Sequence, residues 1–262
     1  MNLDLTGKTA LVCGSTQGIG KASAIELASL GANVILAARN EVSLKETISK
    51  LDTSKGQKHD FLAVDFQLPN KVKEKVDNFI ATNGPVHILV NNTGGPPSGL
   101  IQNAKVEEFT AAFNNHLVCN HILFQCVIEG MKKEQYGRVI NIISTSVKMP
   151  LKNLGVSNTI RAAVANWSKT FANEVASFGI TVNNVLPGAT LTGRLQAIIE
   201  NKSANTGESI NEIKNDMESE IPLGRFAEPS EIANAVAFLA SPAASYITGI
   251  NVPVDGGRTG CL

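Results

Sequence analysis

The sequence predicts an α/β fold in which helices cover both faces of one doubly wound parallel sheet. Short apolar runs rich in Val, Ile and Leu alternate with longer amphipathic segments, as expected for strands buried on both faces. A glycine-rich turn joins the first apolar run to the first helical segment. The chain has 262 residues, of which 43% are hydrophobic and 18% charged, so a substantial core can form.

The order of the segments supports this fold. Strands are predicted over 8–13, 32–38, 59–64, 86–90, 138–143, 180–186 and 250–254. Helices are predicted over 19–30, 41–51, 69–82, 106–132, 156–177 and 229–240. Strand–helix alternation of this kind means right-handed crossovers and a parallel sheet. Because no repeat or linker interrupts it, we expect a single dinucleotide-binding domain over 1–262.

One polar region breaks the alternation. Residues 191–225 show only weak helical periodicity, at 194–200 and 208–219. Sites in open α/β sheets lie at the carboxyl ends of the strands, where a mobile segment can close over them. We therefore predict a substrate lid over 191–225, and a solvated surface excursion is the alternative.

Composition narrows the possible partners. Lysine plus arginine equals aspartate plus glutamate at 23 each, which favours neither nucleic acid nor an acidic membrane surface. The four cysteines match no zinc or redox spacing, so no metal site is expected. The N-terminus is too polar for a signal peptide, and no run is long enough to cross a membrane. A cytoplasmic protein is the expectation.

The glycine-rich turn is the strongest functional signal. Gly14, Gly18 and Gly20 follow the first predicted strand and open the first helix, in the pattern GxxxGxG. Glycines at that junction let backbone N–H groups approach a pyrophosphate at a helix N-terminus. The turn therefore predicts a dinucleotide site, and its remaining candidate contacts are Ser15, Gln17 and Ile19.

The end of the second strand predicts which dinucleotide binds. An acidic residue there would hold a ribose 2′-hydroxyl, as in NAD sites. This chain has Ala37, Ala38 and Arg39 instead, and Arg39 is suited to a 2′-phosphate. NADP(H) is therefore the preferred cofactor, with NAD(H) possible if Arg39 is an ordinary surface arginine.

Four motifs carry a family resemblance. GxxxGIG near the N-terminus, NNTG at 91–94, VNNVLPG at 182–188 and ITGINVPVDGG at 247–257 resemble the classical short-chain dehydrogenase/reductase family, in its β-ketoacyl carrier-protein reductase-like branch. The resemblance covers almost the whole chain and implies a Rossmann-type sheet. It also implies a small-molecule substrate and a homo-oligomer, expected to be a tetramer, paired through 106–132 and 156–177.

The resemblance implies further cofactor contacts. They are Asp65 at the adenine, Asn91 and Gly94 in the cofactor cleft, Pro187 and Gly188 beside the nicotinamide, and Thr192 near its carboxamide. Thr93 stands where the family usually has alanine.

The family's catalytic pattern is degenerate in this chain. The family uses Asn, Ser, Tyr and Lys. Ser144 occupies the serine position, while Ser157 and Arg161 stand at the tyrosine and lysine positions. His116 falls at the asparagine position, and a slip of one residue would bring Asn115 there instead. Arg161 is also a candidate for holding the nicotinamide ribose.

These replacements change the expected chemistry. A serine hydroxyl is a far weaker acid than a phenol, and Ser157 can also be read as a helix cap. Arg161 stays charged, so it can hold ribose hydroxyls, a carboxylate or an oxyanion. With an unperturbed pKa of about 6.5, His116 is the candidate replacement proton donor, and a histidine bonded to a backbone carbonyl is the alternative. Neither Tyr136 nor Tyr246 is expected to reach the site.

The sequence thus favours a divergent NADP(H)-dependent oxidoreductase acting on a carbonyl/alcohol pair. Losing a general acid typically costs about 10²–10⁴-fold in rate and not the whole reaction. The alternatives are a non-redox enzyme and a catalytically inactive nucleotide-binding or structural protein on the same fold. Neither the substrate nor the direction of the reaction follows from the residues.

Overall fold

The computed structural model describes residues 1–261 and contains one seven-stranded parallel sheet. Its strands are β1 Thr9–Cys13, β2 Asn33–Ala38, β3 Asp60–Ala63, β4 Ile88–Asn91, β5 Gly137–Ile142, β6 Ile180–Pro187 and β7 Asn251–Val254. They lie in the order β3-β2-β1-β4-β5-β6-β7, and each neighbouring pair is parallel. The predicted doubly wound α/β fold is confirmed. The strand order reverses between β1 and β4, where such sheets bind their ligands.

Alternating side chains of the strands build two hydrophobic layers. In β1, Ala10 and Val12 pack into one layer, whereas Leu11 and Cys13 pack into the other. Because successive strand residues point to opposite faces, both faces of the strand are covered. The first layer includes side chains of α1, α2 and α9, and the second includes side chains of α3, α5 and α6.

Nine α-helices occur within residues 1–261. They are α1 Gly18–Ser29, α2 Glu41–Ile48, α3 Pro69–Asn83, α4 Val106–Phe113, α5 Cys119–Glu134, α6 Gly155–Val175, α7 Gly193–Thr206, α8 Ile210–Ser219 and α9 Pro229–Ala240. None of the helices in this part of the chain is long and apolar enough to cross a membrane.

Two of the differences between predicted and observed helices affect the candidate site. The helix predicted over 106–132 is interrupted by a π-helical turn at Asn114–Val118, which separates α4 from α5. The interruption inserts an extra residue into the turn, which hydrophobic periodicity does not reveal. The helix predicted from 156 begins at Gly155, with Leu154 at its N-cap. Ser157 is therefore the third helical residue, and its interpretation as a cap is wrong.

Residues 191–225 are more ordered than their weak periodicity suggested. Thr192 caps α7 and Ser209 caps α8, and each side chain accepts a backbone N–H bond. The two helices share a small apolar core of their own, formed by Leu195, Ile199, Ile213, Ile221 and Phe226. This separate core makes the region a compact unit beside the sheet. Its role as a lid stays a prediction.

Candidate functional site

The glycine turn after β1 is a tight cradle. Gly14 and Gly18 have φ angles of +60° and +52°, which favour glycine. A Cβ on Gly14 would lie 2.1 Å from the Asn92 carbonyl oxygen, and a Cβ on Gly20 would lie 2.2 Å from the Gly14 oxygen. Backbone segments therefore pack closely here, as they must where a chain approaches a pyrophosphate.

The start of α1 suits an anionic group. Gln17 is the N-cap of α1 but its side chain makes no capping hydrogen bond, so the first backbone N–H groups lack a side-chain acceptor. Ile19 follows in the first turn, and the buried Ser15 hydroxyl has no hydrogen-bond partner among the described residues. Donors at a helix N-terminus fit a dinucleotide pyrophosphate.

The second strand ends with an exposed cation. Arg39 lies at the carboxyl end of β2, after the buried Ala37 and Ala38, and no ion pair in the described part of the chain includes it. Asp65 follows β3, and its carboxylate accepts a hydrogen bond from the Gln67 backbone N–H at 3.0 Å. The arrangement leaves the Arg39 guanidinium open to a ligand phosphate.

The predicted cleft residues differ in what they contact. The buried Asn91 side chain donates from Nδ2 to Asn141 Oδ1 at 2.8 Å, while its Oδ1 has no partner among the described residues. Gly94 is exposed after Thr93. Asn141 also donates to Ser168 and Asn184, forming a buried polar network that the sequence analysis missed. The only signal for it was asparagine within strand-like apolar runs.

The segment after β6 lies against the glycine turn. Pro187 ends β6, and the Gly188 N–H donates to the Val254 carbonyl at 2.9 Å. A Cβ on Gly18 would lie 2.9 Å from the Thr192 methyl group, so the start of α7 abuts the turn. A cavity of about 610 Å³ opens on this side, lined by Gly18, Lys21, Thr192, Lys214 and Phe226 among others.

Ser144 and Ser157 lie near the carboxyl end of β5. Ser144 is half-buried, and its hydroxyl oxygen accepts the Ser146 backbone N–H at 3.1 Å, so its O–H remains able to donate. Ser157 is 8% exposed, and its hydroxyl makes no hydrogen bond to any of the described residues. The Ser144 hydroxyl therefore keeps its proton for a ligand, and the Ser157 hydroxyl is unpaired among the described residues.

Arg161 is held one turn further along α6. One terminal nitrogen, Nη1, donates to the Ile142 carbonyl at 2.8 Å, while the buried Nε has no partner within residues 1–261. Burial, with a contribution from the charge of Arg194, lowers the pKa of Arg161 to about 10. The guanidinium is therefore charged at neutral pH and keeps donor capacity for a ligand.

His116 lies in the π-helical turn and is only 2% exposed. Its Nδ1 lies 2.7 Å from the Thr93 hydroxyl oxygen. Burial, then the charges of Arg161 and Arg194, lower the pKa of His116 to about 2. His116 is therefore neutral at physiological pH in this conformation, and the expectation of a histidine proton donor with a near-neutral pKa is wrong.

The adjacent Asn115 shares the turn with His116. Its backbone carbonyl lies 3.3 Å from the Thr93 hydroxyl, and its side-chain oxygen is buried without a partner in the described structure. Both candidates for the asparagine position therefore lie beside Thr93. The residue that sequence reasoning treated as a small departure from the family contacts both of them.

Arg194 is a site residue that the sequence analysis missed. It lies in the first turn of α7, and its Nη2 donates to the Pro96 carbonyl at 2.6 Å. The position that a Cβ on Gly95 would occupy is 3.5 Å from Arg161 Nη2 and 3.7 Å from Arg194 Nη2. In the sequence Arg194 is a single arginine in the polar region 191–225, and nothing there indicates that it belongs to the site.

The two tyrosines lie elsewhere. The Tyr136 hydroxyl donates to the Ala240 carbonyl at 2.8 Å, and its ring packs beside Lys8 and Arg138. Tyr246 is fully exposed near the last strand. Neither phenol can replace the family's tyrosine, as expected from the sequence.

Comparison with known proteins gives a consistent set of relatives. The family model described as enoyl-(acyl carrier protein) reductase matches residues 14–259. The chain is 37% identical over 258 residues to the 3-oxoacyl-[acyl-carrier-protein] reductase FabG of Vibrio cholerae, covering 97% of this chain and 98% of that protein. The same enzyme of Haemophilus influenzae is 37% identical over 255 residues, covering 97% and 98%.

Solved structures agree with the sequence relatives. L-Sorbose reductase from Gluconobacter frateurii, solved with NADPH and L-sorbose, superposes with a TM-score of 0.93 at 31% identity and full coverage of both chains. YwfH, described as an NADPH-dependent reductase involved in bacilysin biosynthesis, superposes with a TM-score of 0.91 at 30% identity. That match covers 97% of this chain and 99% of YwfH.

Proposed function

The chain belongs to the short-chain dehydrogenase/reductase family, and from this premise we propose that it is an NADP(H)-dependent oxidoreductase acting on a carbonyl/alcohol pair. Ser157 and Arg161 take the positions of the family's tyrosine and lysine. The family's oxidoreductases include carbonyl reductases among the relatives above, such as FabG and L-sorbose reductase.

NADP(H) is the cofactor that the residues fit. The glycine cradle, the α1 N-terminus and the unpartnered Ser15 hydroxyl suit the pyrophosphate. Arg39 suits a 2′-phosphate, and no acidic residue at the end of β2 opposes it. Asp65, Gly94, Pro187, Gly188 and Thr192 keep the contacts that the family resemblance assigns to them. The relatives whose descriptions mention NADPH support the same choice.

One observation carries the proposal. Six buried polar side-chain atoms lack hydrogen-bond partners among the described residues, and all lie at or near the carboxyl ends of β1, β4 and β5. They belong to Ser15, Asn91, Asn115, His116, Ser146 and Arg161. Buried polar groups are normally paired, so unpaired groups gathered in one region indicate a site that completes its hydrogen bonds with ligands.

The residues divide the chemistry between them. NADPH held at the glycine turn and the start of α1 would supply the hydride for reduction of the substrate carbonyl. The charged Arg161 donates hydrogen bonds to the oxyanion that forms, and the Ser144 hydroxyl donates to the same oxygen. Neutral His116 positions Thr93 and the π-helical turn. Water delivers the final proton, because no histidine or tyrosine of the site can donate one at neutral pH.

A nucleotide-binding protein without turnover is the second candidate. The loss of the tyrosine and the lowered pKa of His116 leave no side chain with an acidity suited to proton transfer at neutral pH. This observation favours an inactive protein. Oriented binding can by itself contribute roughly 7–11 kcal/mol to lowering the barrier, which favours an enzyme.

The proposed reductase also has an expected substrate class, oligomeric state and cellular compartment. We expect a small-molecule substrate and a homotetramer in which α4, α5 and α6 pair with another copy. The four cysteines are free thiols in the described structure, which fits a reducing, cytoplasmic setting. Residues 191–225 would close over the bound substrate.

The test is NADPH consumption over a panel of aldehydes and ketones, with NADPH binding measured separately by nicotinamide fluorescence. Arg161→Met, purified in parallel, controls for contaminating reductases. Binding with Arg161-dependent turnover supports the reductase. Binding without any turnover supports the inactive candidate, and failure to bind NADPH contradicts both.

A further inference from the structure

Two guanidinium groups converge on one point above the loop after β4. Arg161 comes from α6 and Arg194 from the first turn of α7, and both approach the Gly95 backbone within 4 Å of the position of a Cβ there. Each is anchored by one backbone carbonyl, Ile142 for Arg161 and Pro96 for Arg194. Both anchors leave further N–H donors free on each guanidinium.

No carboxylate of the described chain balances this charge. The ion pairs within residues 1–261 include neither Arg161 nor Arg194. Burial lowers the pKa of Arg194 as well as that of Arg161. Arg194 also stands at a helix N-terminus, where the helix dipole disfavours a cation. Arg194 is exposed and partly solvated, whereas the Arg161 guanidinium is enclosed, so an anion that reaches both arginines would stabilise chiefly the charge of Arg161.

The surrounding side chains leave room for hydrogen bonds to such an anion. Arg161 Nε is buried and unpartnered within the described structure. His116, 2% exposed, has an unpartnered Nε2, and both arginines depress its pKa, which places it within reach of their charge. The Thr93 hydroxyl lies between His116 Nδ1, at 2.7 Å, and the Asn115 carbonyl, at 3.3 Å. In the tautomer whose Nδ1 accepts from Thr93, the His116 proton is on Nε2, where it can donate to the anion.

Resting on the proposed function, we propose that Arg161 and Arg194 bind a carboxylate of the substrate, so that the enzyme reduces carbonyl compounds that are also carboxylic acids. The planar forks of arginine match a carboxylate in two-point contacts. The free Nη2 edge of Arg161 meets the carboxylate, and the same guanidinium reaches the neighbouring carbonyl oxygen.

A cofactor phosphate is an anion like the proposed substrate carboxylate, but we expect it to bind at a different position. The dinucleotide pyrophosphate belongs at Gly18 and the start of α1, against Thr192. The Arg194 guanidinium instead lies on the Pro96 carbonyl and beside Gly95, in the loop that follows β4. That loop borders Arg161 at the carboxyl end of β5, where the reaction takes place.

The test compares oxo acids with their uncharged esters. The panel is 2-oxopentanoate, 3-oxobutanoate and 4-oxopentanoate, each beside its ethyl ester, in NADPH-dependent turnover by wild-type protein, Arg194→Gln and Lys202→Gln. Lys202 is exposed on the same helix and controls for a general loss of positive charge. Calorimetric titration of each acid and ester into NADP⁺-saturated protein gives a readout that requires no turnover.

We expect at least one acid to exceed its ester by about 10–150-fold in kcat/KM or affinity, the range for a charged hydrogen bond. Arg194→Gln should lower kcat/KM and affinity for the acid far more than for its ester, so that the preference is lost, and should leave NADPH affinity within about twofold of wild type. Lys202→Gln should retain the preference. Equal acid and ester throughout would overturn the proposal while leaving the reductase intact. Weakened NADPH binding by Arg194→Gln with the acid preference kept would assign Arg194 to the cofactor phosphate instead.

Discussion

His116 shows how burial changes the chemistry expected of a residue type. A histidine at a catalytic position suggests acid–base work near neutral pH. Its enclosure in the π-helical turn, together with two unbalanced arginines, holds its pKa at about 2. Sequence can place the histidine but cannot give its surroundings, because Arg194 is distant in the chain and was not recognised as a neighbour.

This pKa has a measurable effect on stability. Above pH 6.5 His116 is neutral in both folded and unfolded chains and contributes no pH dependence. Below pH 6.5 His116 is protonated in the unfolded chain, whereas in the folded chain it stays neutral down to about pH 2. The free energy of unfolding therefore falls by about 1.4 kcal/mol for each pH unit below 6.5. His116→Asn removes this loss. Urea unfolding should show the variant gaining about 2 kcal/mol on wild type between pH 7.5 and pH 5.

The comparison at two pH values is its own control, because the packing cost of the substitution is present at both. An equal difference between variant and wild type at pH 7.5 and pH 5 would show that His116 titrates alike in the folded and unfolded chains.

We expect Arg39 to determine the preference between NADPH and NADH. Its guanidinium is exposed at the end of β2 and has no carboxylate partner in the described structure. Pairing with a 2′-phosphate should favour NADPH over NADH by about 10–150-fold. Arg39→Asp should reverse the order, because its carboxylate repels the phosphate and can accept from the ribose hydroxyl. Calorimetry with both nucleotides measures this, and equal affinities of wild type for the two would refute it.

At the scale of the secondary-structure elements, α6 could be predicted from the sequence, whereas the π-helical turn could not. Apolar periodicity located α6 to within a residue at its start, yet the cap assigned to Ser157 was wrong because the helix begins at Gly155. Periodicity also could not reveal the turn at Asn114–Val118, since the extra residue changes the backbone bonding while the side chains remain helix-like. Because the π-helical turn contains this extra residue, the sequence left open whether Asn115 or His116 occupies the family's asparagine position.

Ser157 and Arg161 lie in the first two turns of α6, and we expect them to act together. Restoring the family pair with Ser157→Tyr and Arg161→Lys should lower kcat/KM for the native substrate by at least tenfold. Lysine is a point charge without the planar fork, and the phenol enters a place where Ser157 is only 8% exposed. Steady-state kinetics of the two single variants and the double variant measure this. A double variant faster than wild type would contradict the expectation that Ser157 and Arg161 are adapted to the native reaction.

At the scale of the whole molecule, the sheet was the most predictable part. All seven predicted strands overlap the observed ones, because Val, Ile and Leu runs buried on both faces are distinctive. The glycine turn and Arg39 could be proposed as cofactor contacts from the sequence because their chemistry depends on local sequence, and their roles stay predictions. Arg194, Thr93 and the asparagine network were missed because they act through contacts between distant segments.

Assembly is a property of the whole chain. The outer edge of β7 has no neighbouring strand in the sheet of the described structure, and Ile250 beside it is 41% exposed. Unprotected strand edges and apolar side chains favour contact with another copy. Sedimentation at micromolar concentration should show a tetramer, and Ile250→Asp should reduce it to dimers. A wild-type monomer under these conditions would contradict the prediction.

In the proposed mechanism Arg161 acts where the family has lysine, and no side chain of the site serves as a titrating acid. Single-turnover hydride transfer from NADPH to the best oxo substrate, followed by the loss of nicotinamide absorbance, tests this directly. Arg161→Met should slow the step by at least about 100-fold, because the oxyanion loses its charged donor. His116→Asn should change it by less than about tenfold, with no histidine limb between pH 5 and pH 8. An unchanged rate in Arg161→Met, or a neutral-pH limb that His116→Asn abolishes, would contradict the account.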